Sequence, residues 1–152
     1  MRGGWRLFST LAIGVACCAQ SAVPDKAQFA RILKLVVGDA KPGALGGLFQ
    51  GVPRREELTL PGARVCLMFD YEFTCRFDSV RNKYSAAMLH EDIAESVAAS
   101  VPRSWSRKIE FDNLGKTTTF MEPGTKLAIS ITSAAREGEL PVYEHAVTLR
   151  IH

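Results

Sequence analysis

The 152-residue chain is short of the residues that most often carry chemistry. It has three histidines, His90, His145 and His152, and no two are four positions apart. A zinc-protease helix needs His-Glu-x-x-His, and after His90-Glu91 the second histidine's place is taken by Ala94. Cys66 and Cys75 are nine positions apart, not three, so the spacing usual for redox pairs and zinc sites is missing. A Gly-x-Ser-x-Gly elbow for a serine hydrolase is also missing. Gly115-Lys116-Thr117 resembles the end of a phosphate loop, but Glu110 stands where the first glycine belongs, and a carboxylate there repels phosphate. Among the 16 acids only Glu110 and Asp112, beside Phe111, stand in an apolar context; they face outward by strand alternation and are assigned no paired-acid role. There is no repeat and no low-complexity tract. These gaps predict a protein with no cofactor and no metal, and they lean against an enzyme.

Charge of one sign is lacking too. The whole chain carries 19 basic and 16 acidic side chains. Two of the basic ones, Arg2 and Arg6, sit at the extreme N-terminus, ahead of the 13-residue apolar run Leu7–Ala19. Ala19 and Ser21 then offer small residues at the −3 and −1 positions of a cut. Basic start, short apolar run and small residues make the pattern of a secretory signal peptide over residues 1–21. Cys17 and Cys18 end the run, but the residues around them fit a lipoprotein anchor poorly. Without the leader, 17 basic residues face 16 acidic ones, a balance of +1. A near-neutral domain has no general electrostatic attraction for nucleic acid. No other apolar run is long enough to cross a bilayer, so no membrane span is expected after cleavage. The expected location is secreted or periplasmic.

Residues 22–152 read as one α+β domain. Phe29, Ile32, Leu33, Val36 and Val37 fall on one face of a helix that Asp25 caps and Gly38 ends. The Gly- and Pro-rich stretch 40–57 reads as loop, with Leu45, Leu48 and Phe49 pinning it to the core. Glu57–Leu60 reads as a short strand before the Pro61-Gly62 turn. A second helix over about 82–101 presents Ala86, Leu89, Ile93, Ala94, Val97 and Val101 inward, with Asp92, Glu95, Ser96 and Ala99 opposite. Four strands follow as an antiparallel meander, with a type II turn at Pro123-Gly124. The order is α-β-β-α-β-β-β-β, with about five to seven strands in one antiparallel sheet packed by two helices.

The run Arg64–Asp78 reads as a hairpin with Asp70-Tyr71 at its turn. Facing positions then sum to 141, so Cys66 opposes Cys75 at the closer-approaching pair type. Export supplies an oxidising compartment, and the two sulfurs predict a structural disulfide inside the hairpin. Function is less constrained. Trp105 among Arg103, Arg107 and Lys108, and Tyr71 at the hairpin tip, are candidate contacts for a partner. The competing reading for Trp105 is a core cap beneath the helix end. The leading expectation is a periplasmic binding module, of the inhibitor or immunity type, with a protein partner in the envelope. A structural or assembly component of the envelope is the alternative. A small hydrolase using His90 or His145 is the third, and it needs a pocket where a histidine, an acid and a nucleophile converge.

Overall fold

The computed structural model describes residues 23–40, 58–69, 71–113, 115–136 and 142–151. Residues 1–22, on which the expected signal peptide falls, the 41–57 stretch with Leu45, Leu48 and Phe49, Asp70 and His152 lie outside the described residues. The elements are α1 (Lys26–Ala40), β1 (Ala63–Phe69), β2 (Glu72–Phe77), α2 (Lys83–Ser100), β3 (Ser106–Phe111), β4 (Gly115–Met121), β5 (Leu127–Arg136) and β6 (Val142–Ile151). All six strands form one antiparallel sheet in the order β1-β2-β6-β5-β4-β3. The expected α+β order is therefore observed, and β3–β6 is the expected meander. The hairpin β1–β2 joins the meander through β6, which leaves β1 and β3 as the outer strands.

Local chemistry sets the helix starts. Asp25 Oδ1 accepts from the Gln28 amide at 2.8 Å and caps α1. Asn82 Oδ1 accepts from the amides of Tyr84 and Ser85 at 2.8 and 3.2 Å and caps α2. α1 buries the five apolar residues of its predicted face, and Ala40 with them. Gly38 does not end the helix as expected. Ala40 is four residues beyond Val36, on the same buried face, and its burial carries the helix through the glycine. Ser96 also departs from expectation. It is 3% exposed, and its Oγ donates to the Asp92 carbonyl at 2.7 Å, which satisfies the hydroxyl within its own helix and lets it be buried.

The predicted strand at Glu57–Leu60 is not one among its described residues. Leu58 and Leu60 are buried in the core, and the Leu60 carbonyl accepts from the Ala63 amide at 2.9 Å to close a turn. Gly62 holds φ 85° in that turn, a conformation that favours glycine. Gly124 likewise holds φ 73° after Pro123, as the type II turn requires. One face of the sheet carries Phe73, Cys75, Val147, Leu149, Ile129, Ile131 and Phe120, all buried beneath the helices. Ile109 and Phe111 share that face by register but remain 44% and 75% exposed, because β3 lies on the outer edge and α2 packs over β5 and β6. Among the described residues no helix is long and apolar enough to cross a membrane.

Candidate functional site

Three places carry polar or exposed groups that the fold alone does not demand: the β1 edge, the β3 end, and a buried histidine pair under α2.

The hairpin register is the one the sequence predicts. Phe69 pairs with Glu72, Met68 with Phe73 and Cys66 with Cys75. Cys66 and Cys75 form a disulfide with Cα atoms 4.0 Å apart, close to the spacing of a non-hydrogen-bonded pair. Cys75 is fully buried and Cys66 half-buried, so the bridge anchors the outer strand to the core. The Cys66 Sγ also accepts from the Leu60 amide at 3.4 Å. On the other face of β1, Val65, Leu67 and Phe69 are 40%, 43% and 58% exposed, and Tyr71, in the turn to β2, is 59% exposed. Arg76 stands opposite Val65, and Arg64 occupies the register shift between Ala63 and Val65. Neither arginine makes an ion pair among the described residues.

The second sequence-predicted cluster is dispersed. Trp105 is 7% exposed and belongs to the core, so it is the core cap and offers no ring to a partner. The reason is its position directly before β3, where the chain turns under the end of α2 and its amide donates to the Pro102 carbonyl at 3.1 Å. Arg103 is exposed. Arg107 is committed within the fold: its Nη2 lies 3.6 Å from Glu91 Oε2, and its guanidinium stands 5.6 Å from the Phe120 ring centroid. Lys116 makes a second ion pair to Glu91. That hydrogen bond from Lys116 holds the Glu91 carboxyl below the usual carboxylate range, with partial burial opposing it. Tyr71 and Trp105 do not share a surface. Four interstrand steps of about 4.8 Å separate β2 from β3, roughly 19 Å across the sheet.

Sequence spacing alone does not show that His90 is buried. His145 sits on the inward face of β6 by strand alternation, and His90 sits on the buried stripe of α2 beside Glu91. Its signal was the pair of alanines four residues to either side, Ala86 and Ala94, which share its buried stripe. Both imidazoles are 1% exposed. His145 Nε2 lies 2.9 Å from the Ala86 carbonyl oxygen and 3.1 Å from Ser133 Oγ. A carbonyl oxygen only accepts, so His145 Nε2 carries the proton and donates to both oxygens. The lone pair is then on Nδ1, which has no partner among the described residues. His90 Nε2 is 2.9 Å from Thr118 Oγ1, and its Nδ1 is also without a partner. Burial, then the ammonium of Lys116, push the His90 pKa down to about 4; Glu91 opposes this, while His145 and Arg107 add to it. Burial also lowers His145, offset in part by its bond to the Ala86 carbonyl.

This arrangement does not activate a nucleophile. Ser133 could transfer its proton only to a nitrogen with a free lone pair, and the nitrogen beside it is the protonated one. No carboxylate hydrogen-bonds either imidazole among the described residues, so the orienting acid of a hydrolytic triad is missing there. Nor do the described residues contain a group of three or more His, Cys, Asp or Glu placed to hold a metal. The chain matches no protein-family model, no curated protein and no solved structure, so its reading rests on this geometry.

Proposed function

We propose that this chain is an exported, non-enzymatic binding module that takes an extended segment of a protein partner along the outer edge of β1. The observation that carries the reading is the row Val65, Leu67 and Phe69, three large apolar side chains each 40% exposed or more on a strand with no outer neighbour among the described residues, with Tyr71 59% exposed in the adjoining turn. Outer strands that present apolar side chains and free backbone groups invite pairing, and folded proteins usually blunt them with charge or proline. Between Val65 and Phe69 this strand has neither. Strand addition uses both features: backbone hydrogen bonds give affinity and alternate side chains give specificity. Arg64 and Arg76 at one end favour a segment with an acidic residue there. The disulfide supports the reading in two ways: it stiffens the receiving strand before binding, and it suits the oxidising compartment that the N-terminal signal pattern implies.

The test is capture from an envelope extract by the oxidised protein, compared with Leu67→Lys and Phe69→Lys. Both sites face solvent, so both variants should fold. A stoichiometric protein captured by the wild type, retained by Ile109→Lys on the opposite edge and lost by the β1 variants, supports the proposal. Equal capture by all four proteins, or no stoichiometric partner for a folded bait, sinks it.

A further inference from the structure

A cleft of about 390 Å³ opens between the N-terminal half of α2 and the β3–β4 turn, on the far side of the sheet from β1. Its apolar wall is made of small side chains, Ala86 and Ala87 on α2, and of the Phe111 ring, which is 75% exposed. A domain core closes such space with larger residues, because every unfilled volume gives up contacts. Here the space is left open above the buried side chains of Ser133 and His90.

The polar wall is cationic on balance. Lys83 and Lys116 line the cleft against one acid, Asp112. Lys116 is already paired with Glu91 and stands 5.7 Å from the Phe111 centroid. Asp112 Oδ1 accepts the Gly115 amide at 2.7 Å. Lys83 makes no ion pair among the described residues and is the cation left for a ligand. At the base, Ser133 and His90 are 9% and 1% exposed, and His90 Nδ1 has no hydrogen-bond partner there. A buried polar atom without a partner is uncommon and marks a place where a further polar group is missing.

The geometry points to a small-ligand site in this cleft for a compact organic anion: a carboxylate or sulfonate held by Lys83, on an aromatic or branched body that lies against Phe111, Ala86 and Ala87. The site is separate from the β1 edge and stands or falls independently of it. Pockets of this size enclose most of a small molecule, and a few placed polar groups among apolar ones set its orientation.

The experiment is a nuclear magnetic resonance titration of the folded protein with benzoate, using benzyl alcohol and acetate as half-probes. Benzoate should shift the amides of Ala87, Asn113 and Gly115 saturably at millimolar concentration, and each half-probe should bind at least tenfold more weakly. Ala87→Phe places a ring in the cleft from an exposed helix position and should abolish the shifts. Lys83→Glu should weaken benzoate about tenfold and leave benzyl alcohol unchanged. Because both sites are exposed, an unaltered amide spectrum elsewhere certifies each variant's fold. The absence of saturable shifts, shifts that survive Ala87→Phe, or benzyl alcohol binding as well as benzoate would each overturn the assignment.

Discussion

Lowering the pH from about 7 to about 5 charges a histidine in the unfolded chain but leaves His90 neutral in the folded one. The ordinary histidine value is 6.5, and in the fold His90 is pushed down to about 4. Between those values the unfolded state binds a proton that the native state does not, so stability falls as pH falls. The contribution is whole above 6.5, is lost progressively toward 4, and does not change further below it. Integrating the linkage relation gives a loss of about 2 kcal/mol at pH 5 and about 3 kcal/mol at pH 4 from this one group. Lys116 on β4, Arg107 on β3 and His145 on β6 all disfavour the charge, and Glu91 on α2 favours it. The lowered His145 adds to the loss in the same direction. Glu91, also lowered, contributes only as pH drops below its ordinary 4.5, so an assay that stops at pH 5 isolates the histidines. The measurement is urea denaturation followed by circular dichroism at pH 7 and pH 5, on the wild type and on His90→Gln. Glutamine keeps a polar group near Thr118 and does not titrate. Whatever its baseline stability, the variant should lose about 2 kcal/mol of the pH dependence. An equal drop in both proteins, or no drop in the wild type, would refute the claim that His90 is held neutral by burial.

Reducing the Cys66–Cys75 bridge, or replacing both cysteines with serine, should cost about 2–3 kcal/mol from the loop closed by a separation of nine residues, read from the shift in urea midpoint. Asn82→Ala removes the acceptor for two helix amides and should cost about 1 kcal/mol, with amide exchange accelerating first in the opening turn of α2. Gly115→Ala should be far more damaging than its exposure suggests. The added Cβ falls 1.7 Å from the Ser133 carbonyl oxygen, a backbone atom, so β4 and β5 must separate. A loss above about 2 kcal/mol with broken β4–β5 amide protection is expected, and a neutral variant would contradict the register.

Periodicity made most of the secondary structure legible. The α1 stripe, the α2 stripe and the alternation along β5 and β6 each follow from spacing alone, because side-chain direction is set by backbone repeat; the hairpin register follows from spacing once a two-residue turn is taken at Asp70-Tyr71. The disulfide was legible for the same reason: a hairpin register leaves a cysteine only one partner directly opposite. Two failures have a common origin. Gly38 and Ser96 were read by residue type, as a helix cap and as a solvated position, whereas each lies in a helix whose buried face extends past it.

Residue spacing settles what is close along the chain, so the two helices, the six strands, most of their inward faces and, given a two-residue turn, the Cys66–Cys75 pairing were determined by the sequence by itself, whereas the expected Glu57–Leu60 strand and the burial of Ser96 and His90 were not. It could not settle which elements lie side by side. Only the tertiary structure joined β2 to β6, and that choice made β1 and β3 the edges. The edge positions left Leu67, Phe69 and Phe111 in solvent, while Trp105, which the sequence offered as a contact or a core cap, was buried. The same assembly brought His90 of α2 against Thr118 of β4, and His145 of β6 against Ser133 of β5 and the Ala86 carbonyl. Those contacts join residues 28, 12 and 59 positions apart. No local pattern encodes such distances, because it is the burial of a shared apolar face that brings the elements together.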